Sequence, residues 1–105
     1  MIAADGQSTQ TIAGGVTAPA GFRAAGVACG IKANGTLDLS LLVSDGEASA
    51  AAVFTTNMAQ AAPILVSREH LQQVHGRAAA VVVNSGCANA CTGADGLRDA
   101  HEMTR

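Results

Sequence analysis

The sequence predicts a mixed α/β (α+β) fold in which β-strands pack with short helices, and three observations predict it. Apolar runs of strand length recur at Phe22 to Lys32, Leu37 to Val43 and Ala78 to Val83, as strands rich in small and β-branched residues do. Helical i, i+3 spacing appears twice, in Leu71 with Val74 and in Leu97 with Ala100 and Met103, as one buried helix face requires. Turn-forming clusters such as Ala33-Asn34-Gly35 and Ser44-Asp45-Gly46 divide these segments.

Taken in order, residues 1–13 are polar and mixed, with Gln7, Ser8, Thr9, Gln10 and Thr11 in a row. They read as a flexible N-terminal arm. Residues 14–105 carry the folded part. Gly14, Gly15, Pro19 and Gly21 punctuate a turn-rich entry. Phe22 to Lys32 reads as a strand with Gly26 and Gly30 at close-approach or bulge positions. Ala33-Asn34-Gly35 turns the chain into Leu37 to Val43, where Leu37, Leu39 and Leu41 share one face, so the two runs predict a β-hairpin.

Ser44-Asp45-Gly46 then breaks the chain before a third apolar run, Ala48 to Phe54. Ala61 to Val66 reads as a further short strand, with Pro63 at its start or on an edge. Ser67 is the expected N-cap of a helix from Arg68 to about His75, which Gly76 ends. The uncharged run Ala78 to Val83, continuing to Asn84, fits a strand buried on both faces. Asp95 is the expected cap of a last helix from Gly96. That pattern stops at Arg105 after about three turns without a C-cap signal, so the sequence reads as truncated.

Composition narrows the function classes. Apolar residues make up 49% of the 105, but only 2% are aromatic, and Ala and Gly supply much of the apolar count. Such a core gains less per residue than one built on Leu and Phe, which favours part of a larger assembly over a free-standing domain. A net charge of −2 with 13% charged residues provides no electrostatic footprint for nucleic acid or anionic lipid. No window is long and apolar enough to span a bilayer, and Met1 to Gly15 lacks the pattern of a secretory signal. Cys29, Cys87 and Cys91 are an odd number with no disulfide framework, which reads as reduced thiols in a cytoplasmic protein.

The stretch from Ala78 to Gly93 is the candidate site, because a buried strand there passes into a loop of small polar residues. Cys87 and Cys91 lie four apart, but no further ligands of zinc type accompany them, so packing is the simpler account. The glycines fit neither GxxxxGK(S/T) nor GxGxxG, and no Lys or Arg lies between Ala78 and Leu97 to neutralise phosphate. His70, His75 and His101 have no triad-like context. Thr92-Gly93 is open to two readings. A hydroxyl beside a glycine amide can aim two donors at a developing oxyanion, each worth ~3 kcal/mol in acyl transfer. It is also what an ordinary turn threonine looks like, and spacing alone favours that account.

The run Asn84-Ser85-Gly86-Cys87-Ala88-Asn89-Ala90-Cys91-Thr92-Gly93 resembles the signature of the ornithine acetyltransferases, also called glutamate N-acetyltransferases. The usual family form carries Gly or Asn where this chain has Cys87. Gly15 to Val27, Gly30-Ile31-Lys32, Asp38-Leu39, Val53-Phe54-Thr55-Thr56-Asn57 and Ala61-Ala62-Pro63 are similar to the family's earlier blocks, in the same order. The resemblance covers about residues 14 to 105.

It implies an N-terminal-nucleophile type of acyltransferase fold, of which this would be the N-terminal part of the α chain. Acetyl passes from N-acetylornithine to glutamate through an acetyl-threonine on a β chain, freed by autoproteolysis of a shared precursor. By position, the oxyanion hole maps to Thr92 and Gly93. The nucleophilic threonine and most substrate contacts are expected beyond Arg105, so these residues alone should be inert. The resemblance implies no cofactor, allows acetyl-coenzyme A as a co-substrate of a bifunctional form, and suggests a heterotetramer of two α and two β chains. Neither a nucleic acid nor a membrane partner is expected. The alternatives are a related amidohydrolase or aminopeptidase with the same nucleophile logic, or a non-catalytic truncated fragment. Cys87 adds a side chain near the hole; a left-handed backbone there would cost about 1 kcal/mol or more and displace the loop.

Overall fold

The computed structural model describes residues 9–105. Residues 1–8 of the expected arm lie outside the described residues, and 9–13 are exposed. Three strands and two helices follow: β1 Phe22–Val27, β2 Leu39–Ser49, α1 Ala62–Gln73, β3 Arg77–Asn84 and α2 Gly93–Met103. The strands form one antiparallel sheet in the order β1-β2-β3. The α+β class expected from the sequence is therefore the architecture found.

The hairpin pairing is present, with Phe22 opposite Ser44 and Val27 opposite Leu39. The first strand is shorter than expected, however, because 28–38 is a wide loop and not a tight turn. The reverse turn at Ala33-Asn34-Gly35 lies inside that loop, where the Gly35 amide donates to Lys32 O at 3.3 Å and Gly35 has φ +70°. Ser44-Asp45-Gly46 does not break the chain. β2 runs through it as an irregular segment between the Val43–Ala80 and Ala48–Ala78 pairs. Asp45 is held there on both sides: its amide donates to Gly21 O at 2.9 Å, and its carboxylate accepts from Arg23 Nε at 2.8 Å. Ala48 and Ser49, the start of the third apolar run, complete β2, and its remainder is irregular, since 50–57 has no regular structure.

Ala61 to Val66 is helix and not strand. Ala61 is the extended N-cap and Pro63 lies in the first turn, where its missing N–H costs nothing. Ser67 is consequently an exposed mid-helix residue and caps nothing. The helical choice is made by packing: Ala62 and Val66, four apart, face Ala100 of α2, and these three form the buried apolar cluster. α1 ends at Gln73 with Val74 as its C-cap, followed by His75 and Gly76 with φ +50° and +71°.

The expectation that β3 is buried on both faces is not met. Val81 and Val83 remain 52% and 53% exposed; they alternate with Val82, which lines the groove on the helix side, and so lie on the sheet's other face. On the sheet's helix side an apolar groove of about 1180 Å³ opens between Leu39, Leu41, Val82, Phe54, Leu71 and Val74. Among the described residues, no helix is long and apolar enough to cross a membrane.

Candidate active site

Two loops meet at the end of the sheet where β1 leaves and β3 ends. The first, 28–38, is closed by Asp38, which is 2% exposed. One carboxylate oxygen accepts from the Cys29 amide at 2.7 Å, and the other from the Lys32 amide at 2.9 Å. Those two amide donors, Cys29 first and Lys32 second, hold the Asp38 carboxyl far below its ordinary 3.8, outweighing the opposing effect of burial. The neighbouring Cys29 thiol is pushed up, chiefly by its hydrogen bond to Asp38 and then by desolvation. The Asp38 backbone adds two further bonds, its amide to Val27 O at 3.0 Å and its carbonyl from the Ser85 amide at 2.8 Å.

That last bond seats the second loop, 85–92, on the first. Gly86 lies against Lys32, at φ +107°, and a Cβ there would come within 2.7 Å of Lys32 Cγ. Asn84 Nδ2 donates to Cys87 O at 3.1 Å and closes the turn after β3. Further along, the Asn89 carbonyl accepts from the Ala62 amide at 3.2 Å, tying the loop to the first turn of α1.

Thr92 and Gly93 lie at the start of α2. Thr92 is the N-cap position, but its side chain makes no capping bond and its hydroxyl donates to Asn89 Oδ1. Asp95 does not cap the helix either; it lies in the first turn and pairs with Arg98 at 2.7 Å. The Gly93 amide is the first of the helix N–H groups that no intrahelical carbonyl can accept, and it sits at the positive end of the helix dipole. Cys91 at φ +57° and Gly93 at φ +65° bend the backbone on either side of Thr92. Glycine adopts that conformation freely, whereas Cys91 carries local strain of the kind found at functional loops. Thr92 and Gly93 line a hollow of about 250 Å³ together with Gln60, Ala62, Leu65 and Leu97. At this hollow the Gly93 amide has no intrahelical acceptor, while the Thr92 hydroxyl hydrogen is engaged with Asn89.

The other candidates divide. Cys87 and Cys91 are exposed and unpaired, so the packing role expected for them is not observed. Cys87 is not among the residues with positive φ, so the backbone penalty considered for it does not arise. His70 and His101 come together between the helices, ring centroids 5.8 Å apart, with Glu69 Oε2 3.6 Å from His101 Nε2. Among the described residues no group of three or more His, Cys, Asp or Glu could hold a metal ion. Sequence reasoning met Asp38 and Asn89 only as parts of family-like runs, gave them no role, and missed Gly96. The physical signal for Asp38 was a carboxylate at the mouth of an apolar strand, since a charge is seldom set there without a partner.

Comparison with known proteins shows what the chain and its fold are similar to. The family model described as ArgJ family matches residues 23–105. The chain belongs to the ArgJ family. Among its relatives, the mitochondrial arginine biosynthesis bifunctional protein ArgJ of Schizosaccharomyces japonicus is 55% identical over 97 residues, 91% of this chain and 22% of that protein. ArgJ of Mycobacterium bovis is 58% identical over 88 residues, 83% of this chain and 21% of the relative. In three dimensions, the ornithine acetyltransferase of Mycobacterium tuberculosis, solved in complex with ornithine, superposes with a TM-score of 0.80 at 55% identity. The match covers 87% of this chain and 47% of that one. ArgJ of Bacillus halodurans gives 0.81 at 48% identity, covering 86% and 46%. The three-stranded sheet and two helices thus correspond to part of an ArgJ structure, and the chain spans less than a quarter of the curated ArgJ relatives cited here.

Proposed function

We propose that these residues form the oxyanion-hole half of a glutamate N-acetyltransferase, which moves acetyl from N-acetylornithine to glutamate. The observation that carries the reading is the Thr92 hydroxyl next to the unclaimed Gly93 amide, at a helix N-terminus facing a hollow. The nucleophile is the N-terminal threonine of a β chain, made by self-cleavage of the same precursor and paired with this segment in a heterotetramer of two α and two β chains. Its own α-amino group takes the proton from its hydroxyl as Oγ attacks the acetyl carbonyl carbon of N-acetylornithine. The carbonyl oxygen becomes an oxyanion between Thr92 Oγ1 and Gly93 N. Collapse breaks the C–N bond, ornithine leaves with the proton on its amine, and acetyl remains on the threonine. The glutamate amine then attacks the ester and a second oxyanion forms in the same place; its collapse breaks the bond from the acyl carbon to Oγ, the amine's proton passes by way of the α-amino group to Oγ, and N-acetylglutamate departs.

A backbone amide fixed at a helix N-terminus stabilises charge without reorganising, and a hydroxyl beside it needs only to turn its hydrogen toward the oxyanion. The setting is a reducing, cytoplasmic compartment consistent with three unpaired thiols, although the fission-yeast relative is a mitochondrial protein. The test is Thr92→Ala in the assembled enzyme, assayed with N-acetylornithine and glutamate. It should lower kcat by about a hundredfold or more, the usual cost of one oxyanion donor. A loss below about threefold overturns the assignment.

A further inference from the structure

Asn89 makes three hydrogen bonds to three different elements of the site. Its carbonyl takes the Ala62 amide at 3.2 Å, its Nδ2 donates to the Gly96 carbonyl at 2.6 Å, and its Oδ1 accepts the Thr92 hydroxyl. The Gly96 bond has a directional consequence. A carbonyl accepts only, so the NH2 end of the amide faces Gly96 and the oxygen end faces Thr92. The Thr92 hydroxyl is therefore the donor in its pair with Asn89, and its side chain is held in one orientation although it does not cap the helix. Gly96 keeps the space open for this: a Cβ there would overlap both Thr92 Oγ1 and Asn89 Oδ1.

We propose that Asn89 is the positioning residue of the oxyanion hole, holding the Thr92 side chain in place and keeping its proton until an oxyanion forms; this rests on the acetyl-transfer reading above. Asn89 accepts the hydroxyl hydrogen in the resting site. When the substrate oxygen gains charge, the hydroxyl rotates about its Cβ–Oγ1 bond and donates to the stronger acceptor. The rotor turns without moving any heavy atom. A neutral amide suits this exchange because it holds the proton weakly, whereas a carboxylate would keep it and would place a second negative charge beside the oxyanion.

A double-mutant cycle in the assembled enzyme tests the proposal, with kcat, KM and melting temperature read for each variant. Asn89→Ala should lower kcat by about tenfold with KM within about twofold, a loss typical of a misaligned catalytic group. In a Thr92→Ala background the same change should cost nothing further, since Asn89 acts through a hydroxyl no longer present. Asn89→Asp keeps the size and the acceptor and should lower kcat more than Asn89→Ala does. A purely structural role predicts the opposite: multiplicative losses in the cycle, tracking melting temperature. If Thr92→Ala is costly but Asn89→Ala is silent or multiplicative, this inference alone falls. If Asn89→Ala does not fold, Asn89→Asp decides, and wild-type kcat in that variant overturns the proposal. If Thr92→Ala itself is silent, the acetyl-transfer reading falls and takes this one with it.

Discussion

The two loops at the end of the sheet are closed by opposite chemical means. Loop 28–38 is folded around a buried, ionised carboxylate, Asp38, which gathers two backbone amides and pins Ser85. Loop 85–92 is folded around a neutral amide, Asn89, which is half-buried and shares its bonds among α1, α2 and Thr92. The difference follows from what each must do. A charge satisfied by fixed amides makes a strong closure, suited to a scaffold that stays put. A charge in the second position would lie beside the place proposed for an oxyanion, so closure there is left to a group without charge.

The largest expected effect tests the neutral loop at its tightest point. Gly96 lies in the interior of α2, where Gly→Ala ordinarily stabilises by about 1 kcal/mol. Here the added methyl would collide with Thr92 and Asn89 together. Gly96→Ala should therefore bring no rise in melting temperature and should lower kcat by about tenfold or more, as displaced donors do. A stabilised variant with unchanged kcat would show that the three-way packing is not needed for activity.

The next test addresses the charged loop through pH. The Asp38 carboxyl lies far below its ordinary 3.8 in the folded chain. Its contribution to stability is complete above that ordinary value, declines as pH falls below it, and vanishes under the depressed folded value. Asp38→Asn should be destabilised relative to the parent at pH 7, and the gap should narrow as pH is lowered from about 5 toward 2, measured by denaturant unfolding. Asn89→Ala has no titrating group to lose, so its gap should not narrow in that way. A constant gap for Asp38→Asn would remove the charge from the account of loop 28–38.

How far these features were legible in the sequence follows the same division. The strand Phe22–Val27 lies within a run readable as a strand, Arg77–Asn84 begins one residue before such a run, and α2 was readable from Leu97, Ala100 and Met103, because local pattern and final structure agree there. Ala61 to Val66 was misread because six residues containing Ile64, Val66 and a proline suit either element, and the decision came from Ala100, thirty-odd residues away. The candidate site was singled out by the family-like run ending in Thr92-Gly93. Its internal wiring was not legible. Asp38 finds partners six and nine residues back in a loop, and Asn89 finds one at Gly96 and another at Ala62, pairings that no periodicity encodes.

Cys87 should show the smallest effect, and it sharpens the comparison by marking where the second loop tolerates change. It is exposed and its φ is not positive, while its neighbour in type, Cys91, takes the left-handed strain at φ +57°. The one bond that residue 87 contributes, from Asn84 Nδ2, goes to its backbone carbonyl and survives any side-chain replacement. Cys87→Gly should therefore keep kcat within about twofold and lose no more than about 1 kcal/mol of stability, chiefly through greater freedom of the unfolded chain. A change in kcat beyond about fivefold, against the small effects usual at exposed loop positions, would mean that the Cys87 side chain reaches the proposed oxyanion site. The boundary of the neutral loop's working part would then lie at Gly86 and not, as the bonding pattern puts it, at Asn89.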